Sequence, residues 1–186
     1  MGLEHAIVEL QGRLRKLRDA VGEARLTIVE DQPPGEFAAV DPFSFGVDDI
    51  AGCTDEAFRQ AAEAKKAAGQ HPPDLNRASR ALYQCQEHIN RCGSRLIFGL
   101  VAHERIEELL GFARKRGRAW LGWATSAKEG LERCRQPWCD AGDAFLPCWQ
   151  EIAERAGVAS VSVQNTSIGA QISVPDRAEA ASEAVP

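Results

Sequence analysis

Leu3, Ile7, Leu10, Leu14, Leu17 and Val21 recur at spacings of four and three, and the same phase continues through Ala24 to Ile28. An apolar seam with that period occupies one side of an α-helix and needs a partner surface to cover it. The spacing therefore predicts a first helix over about residues 2–29, stopped by Asp31-Gln32-Pro33-Pro34-Gly35. A second seam, Ala78, Leu82, Cys85, Ile89, Cys92 and Leu96, keeps its phase through Gly99, His103, Ile106, Leu110, Ala113, Gly117, Trp120, Ala124, Ala127, Leu131 and Cys134. One helix spanning 74–136 would measure about 90 Å at 1.5 Å per residue, too long for a bundle, so the stretch must break. Cys92-Gly93-Ser94, Gly99 and Gly117 are the positions where it can.

Between these seams, a Phe-, Pro- and Gly-rich stretch containing Phe37, Phe43 and Phe45 reads as a loop to about Cys53. Thr54 is expected to cap a helix that runs to Ala68, and Gly69 with Pro72-Pro73 ends it. A last helix over about 140–156 directs Phe145, Cys148 and Ile152 inward. The expected fold class is all-α: a bundle of four to six helices over residues 1–156, followed at 157–186 by a flexible tail with a short β-prone segment. No internal repeat is visible.

Composition excludes several functions. The net charge is −5, which argues against a general nucleic-acid binder. The longest apolar run, Leu96 to Ala102, falls well short of the roughly 20 residues that span a bilayer. No secretory leader pattern opens the chain, and Ala6 stands where an acylation signal needs Ser or Thr, so a cytoplasmic resting location is expected. Cys85, His88 and Cys92 share one helical face and could supply metal ligands, while Cys134, Cys139 and Cys148 could form a thiol switch. Seam cysteines are more often small buried hydrophobes, and no metal or other cofactor is assigned. Glu104, Glu107 and Glu108 lack the Glu-x-x-His pairs of a di-iron bundle. No catalytic triad, phosphate loop or pair of acids stands out, so no enzymatic activity and no catalytic residue is expected.

Two basic clusters remain. Arg13, Arg15, Lys16 and Arg18 crowd the first helix, and Arg114, Lys115, Arg116 and Arg118 precede Trp120 and Trp123. Such groups suit an anionic lipid surface, although a solvated charged face beside core tryptophans has the same pattern.

At Val158 the chemistry changes. Val161 and Val163 alternate with Ser160, Ser162 and Gln164, and Ile168, Ile172 and Val174 recur around Gly169 and Gln171. The run Val158 to Val174 contains neither charge nor proline, and its Asn and Gln side chains can stack in ladders, as a cross-β segment requires. No other stretch of the chain has comparable strand character, so the expected partner is another molecule.

Val163-Gln164-Asn165-Thr166-Ser167-Ile168-Gly169-Ala170-Gln171-Ile172 resembles the amyloid signalling motifs at the C-termini of bacterial cell-death effectors, which are similar to the RIP homotypic interaction motif. Asn165, Gly169 and Gln171 carry the likeness, flanked by Val161, Val163, Gln164, Ile168 and Ile172. Asn165 and Thr166 stand where the animal motif continues with an apolar residue and Gly. In that family the motif follows a helical Bell domain, which resembles the fungal HeLo domain and the four-helix bundle of mixed-lineage kinase-like protein. The resemblance implies an effector of bacterial anti-phage immunity, templated by an NLR-type receptor or another protein with a matching motif. It implies homo-oligomerisation on activation, movement from cytoplasm to cell membrane, and membrane permeabilisation, with Leu3, Ile7 and Leu10 inserting into lipid. The rival expectation is a helical adaptor that docks a partner through its seams and C-terminal strand.

Overall fold

The computed structural model describes residues 2–33, 41–112, 117–157, 162–166 and 169–173, with side chains over 2–33, 46–101 and 118–157. Helix α1 (Leu3–Arg25) buries its entire seam from Leu3 to Ala24, and a π-helical turn (Leu26–Glu30) carries Ile28 into the same core. Helix α2 (Asp41–Ala68) begins well before Thr54, which corrects the expected loop and cap. Pro42 sits in its first turn, where a missing N–H leaves no helical acceptor unpaired. Thr54 is buried in mid-helix, and its hydroxyl donates to the Ile50 carbonyl at 2.8 Å. Phe43 and Phe45 belong to this helix, and Phe37 lies outside the described residues.

Asp74 caps the next helix by accepting from the Arg77 backbone N–H at 3.0 Å. Helix α3 (Leu75–Phe112) passes through Gly93 and Gly99, and helix α4 starts at Gly117 and ends at Asp143. The long stretch is therefore divided into two helices, and of the three glycine positions only Gly117 lies at an end of one. α4 continues through Pro137, so the last helix, α5 (Phe145–Ala156), starts later than expected. Gly157 closes α5 in the left-handed conformation at φ 70°, and its N–H returns to the carbonyls of Ala153 and Glu154.

Small residues set the close helix crossings. Ala57, Ala61 and Ala64 of α2 and Ala78 and Ala81 of α3 are buried where the two helices lie side by side, and the Cys85 thiol donates to the Ala57 carbonyl at 3.1 Å. A β-carbon at Gly130 would sit 3.3 Å from that of Ala24, so α1 and α4 are in near backbone contact there. At Gly93 the packing is tighter still: the Trp138 indole covers it and donates to the Ile89 carbonyl at 2.9 Å.

A β-carbon at Gly93 would overlap the Trp138 ring, so Gly93→Ala must displace that indole. Overpacking of this kind costs about 1–3 kcal/mol, more than the roughly 1 kcal/mol of helix propensity gained. Gly122→Ala meets nothing within 4 Å and carries the propensity gain alone. Thermal melts of the two variants should move in opposite directions from wild type, Gly93→Ala downward and Gly122→Ala upward.

Beyond α5 the chain forms two strands, β1 (Ser162–Thr166) and β2 (Gly169–Ser173), paired antiparallel with each other. The expectation that this run lacks a partner within its own chain is thus corrected. A single charge-free run is long enough to fold back on itself, with the glycine opening its second half. Val161, Ile168 and residues 174–186 lie outside the described residues.

Candidate functional site

The hairpin divides the motif between its strands. Val163, Gln164 and Asn165 stand on β1, while Gly169, Gln171 and Ile172 stand on β2. The register sets Val163 opposite Ile172, Gln164 opposite Gln171, Asn165 opposite Ala170 and Thr166 opposite Gly169. One glutamine pair is therefore matched across the strands, and Asn165 faces no amide residue. Two strands of five residues are marginal alone in water, and among the described residues no further strand pairs with the outer edge of either.

Helix α1 positions the second element. Leu3, Ile7 and Leu10 are fully buried, so the face expected to meet lipid is the same face that builds the core. Val8, on the same helix, is 42% exposed. Among the described residues no helix is long and apolar enough to cross a membrane. Of the basic residues on α1, Arg13 pairs with Glu9 at 3.0 Å and Asp140 at 3.6 Å. Arg18 lies 4.8 Å over the Phe58 ring. Arg15 and Lys16 are exposed.

The second basic cluster lies only partly within the described residues. Arg118 is exposed, and Arg114, Lys115 and Arg116 fall outside them. Trp120 and Trp123 are 9% and 5% exposed, packed edge to face at 5.7 Å, and the Trp123 indole donates to the Thr27 carbonyl at 3.1 Å. In the folded bundle both rings are therefore covered rather than presented at the surface, and Trp123 ties α4 to the π-helical turn. Amphipathic indoles satisfy either environment, so sequence alone does not separate the two.

Sequence reasoning passed over the apolar surface of α3, where Ile97, Phe98 and Val101 are 43%, 56% and 53% exposed. The signal was available. In Leu96 to Ala102 the seam turns Leu96 and Gly99 inward, which leaves neighbouring apolar positions facing out.

All six cysteines are free thiols, and among the described residues no three His, Cys, Asp or Glu side chains gather as metal ligands. Burial pushes the Cys92 thiol up to about 11 and those of Cys134 and Cys148 up to about 12; it raises Cys85 further, despite a backbone hydrogen bond that opposes the shift. Thiols held protonated at neutral pH are poor nucleophiles and poor metal ligands. Cys139 is exposed.

Two measurements follow from this arrangement. Under native conditions an alkylating reagent should modify Cys139 first and reach Cys85, Cys92, Cys134 and Cys148 only when the bundle opens. Unfolded thiols ionise near 8.5, whereas these remain protonated in the folded chain to about 11 or above. The unfolded state thus binds fewer protons in that window, and stability should fall as pH rises from about 8.5 toward 11.

Comparison of the chain with protein-family models, curated proteins and solved structures found no match in any of the three.

Proposed function

We propose that the chain is a regulated cell-death effector of bacterial anti-phage immunity. A receptor carrying a matching motif templates the segment 158–174 into cross-β, and the clustered bundles act on the cell membrane. One observation carries the proposal: a helical core that closes at Gly157 is followed at once by a charge-free β-hairpin bearing the Asn165, Gly169 and Gln171 pattern. Clustering raises local concentration by linkage, without any new contact in the bundle. Opening of the bundle then frees Leu3, Ile7 and Leu10, which bind no lipid while they form the core.

Val8 offers a clean test because it is already 42% exposed in the folded chain. Val8→Asp should change bundle stability by no more than about 0.5 kcal/mol, as is usual for surface positions. In a helix placed in lipid, the same charge costs roughly 2.5–3.5 kcal/mol near the bilayer centre and less toward the interface. Expression of the wild-type chain together with a fused, clustered copy of its tail should arrest bacterial growth, and Val8→Asp should relieve that arrest at an unchanged melting temperature. Growth unaffected by the wild-type chain and its clustered tail would favour the adaptor, for which the exposed Ile97, Phe98 and Val101 provide a docking face.

A further inference from the structure

We infer that the antiparallel hairpin is a resting form of the C-terminal segment that excludes a parallel, in-register cross-β form, so that a template of that form has to unzip β1 from β2 before the chain can join the stack. The inference rests on the proposed templating of this segment and adds its conformational control.

Backbone geometry makes the hairpin incompatible with a parallel, in-register stack. Thr166 pairs with Gly169 across a two-residue connection, so Thr166/Gly169, Gln164/Gln171 and Ser162/Ser173 exchange hydrogen bonds, and the pairs between them do not. Each strand thereby commits one edge to its own chain. In a parallel, in-register stack of identical chains every strand uses both edges, one for the copy above and one for the copy below. A segment still zipped as a hairpin keeps one outer edge on each strand, but it cannot enter a parallel, in-register stack, because β1 and β2 occupy edges that their own copies would need.

The register gives a reason for the exchange to favour the stack once a template is present. Within the hairpin, the register sets Gln164 opposite Gln171, Asn165 opposite Ala170 and Thr166 opposite Gly169. In a parallel, in-register stack each of these residues lies above its own copy, so Gln164, Asn165 and Gln171 all form continuous amide ladders. Copies therefore match one another better than the two halves of one chain do. The short hairpin withholds its strands from chance encounters yet is weak enough to be opened.

A reversible lock tests this. Val163 and Ile172 form a pair without mutual hydrogen bonds, with Cα atoms about 4.5 Å apart, within the range a disulfide bridges. The variant is the full-length chain with Val163→Cys, Ile172→Cys and Cys139→Ser, with formation of the intended disulfide verified by peptide mass. Fibril seeds of the 158–174 peptide should recruit it when reduced and fail to recruit it when oxidised, as read by thioflavin T and sedimentation. Equal recruitment of both forms overturns the inference and leaves templating intact, whereas failure of the wild-type chain to respond to seeds overturns templating itself.

A second measurement avoids substitutions within the paired apolar positions, and it decides the matter if the reduced double-cysteine chain does not grow. A spin label at Thr166→Cys, in the full chain with Cys139→Ser, should give a single exchange-narrowed line in fibrils, because in-register copies repeat about every 4.7 Å. A spectrum that keeps three resolved lines in fibrils means that the hairpin persists there and overturns the inference.

Discussion

Gly169→Pro should abolish growth on seeds of the wild-type tail, and Gln171→Lys should reduce it severely, while the helical bundle keeps its stability in both. Proline removes the N–H that Gly169 contributes at the start of β2 and fixes φ, so one backbone bond is missing in every layer of a stack. Lysine at 171 places like charges one layer apart. At a spacing of about 4.7 Å, each neighbouring pair repels by roughly 1 kcal/mol even in water, and by several times that in a dry interface. The penalty repeats for each added chain, so it acts on growth rather than on a single binding event. Both positions follow Gly157, where the last helix closes, so melting of the bundle should shift by less than about 2 °C. Thioflavin T kinetics and circular dichroism on the same samples read both halves of this expectation.

Leu10→Asp and Phe145→Ala both destabilise the bundle, but their effects on membranes should be opposite. Leu10 is fully buried among apolar side chains. An aspartate there forfeits about 2 kcal/mol of apolar burial and leaves an unpaired carboxyl in a site without water, at a further cost of several kcal/mol. That sum is comparable with the whole stability of a domain this size, so the cooperative thermal transition should be lost. The same substitution puts a charge on the α1 face assigned to lipid, and an opened Leu10→Asp chain should leave vesicles intact. Phe145, 1% exposed in α5, is a core residue outside that face. Phe145→Ala should cost about 3–5 kcal/mol through the cavity it leaves, while α1 stays wholly apolar on its seam. Its partly opened population should release dye from anionic vesicles without seeds. Equal leakage from both variants would mean that α1 is not the membrane-active element.

The phase of each seam was legible in the sequence because period alone says which side of a helix is covered: Leu3 to Ile28, Ala78 to Leu96 and Trp120 to Cys134 are buried as their spacing requires, apart from the stretch outside the described side chains. Residues 41–53 were misread because Val47, Ile50, Thr54, Ala57, Ala61, Ala64 and Ala68 form a seam built chiefly of small residues, which carry little hydropathy signal, and because Gly46 and Gly52 resemble loop residues. Glycines were ambiguous for a different reason. Gly93 is occupied by Trp138 from another helix, and nothing local to Gly93 records that contact. The strand character of the C-terminal run was visible in its alternation, but its register was not, since pairing depends on where the chain turns. Whether Trp120 and Trp123 face lipid or the core is likewise a tertiary property, fixed here by the Thr27 carbonyl that receives one indole.

Dye release from anionic vesicles by the full-length chain, with and without fibril seeds of its own tail, tests most directly whether templating and membrane action are coupled. The expected result is release that requires both seeds and the intact chain and follows the rise of thioflavin T. Seeds that recruit the chain into fibrils while the vesicles stay sealed would contradict the coupling of tail to bundle.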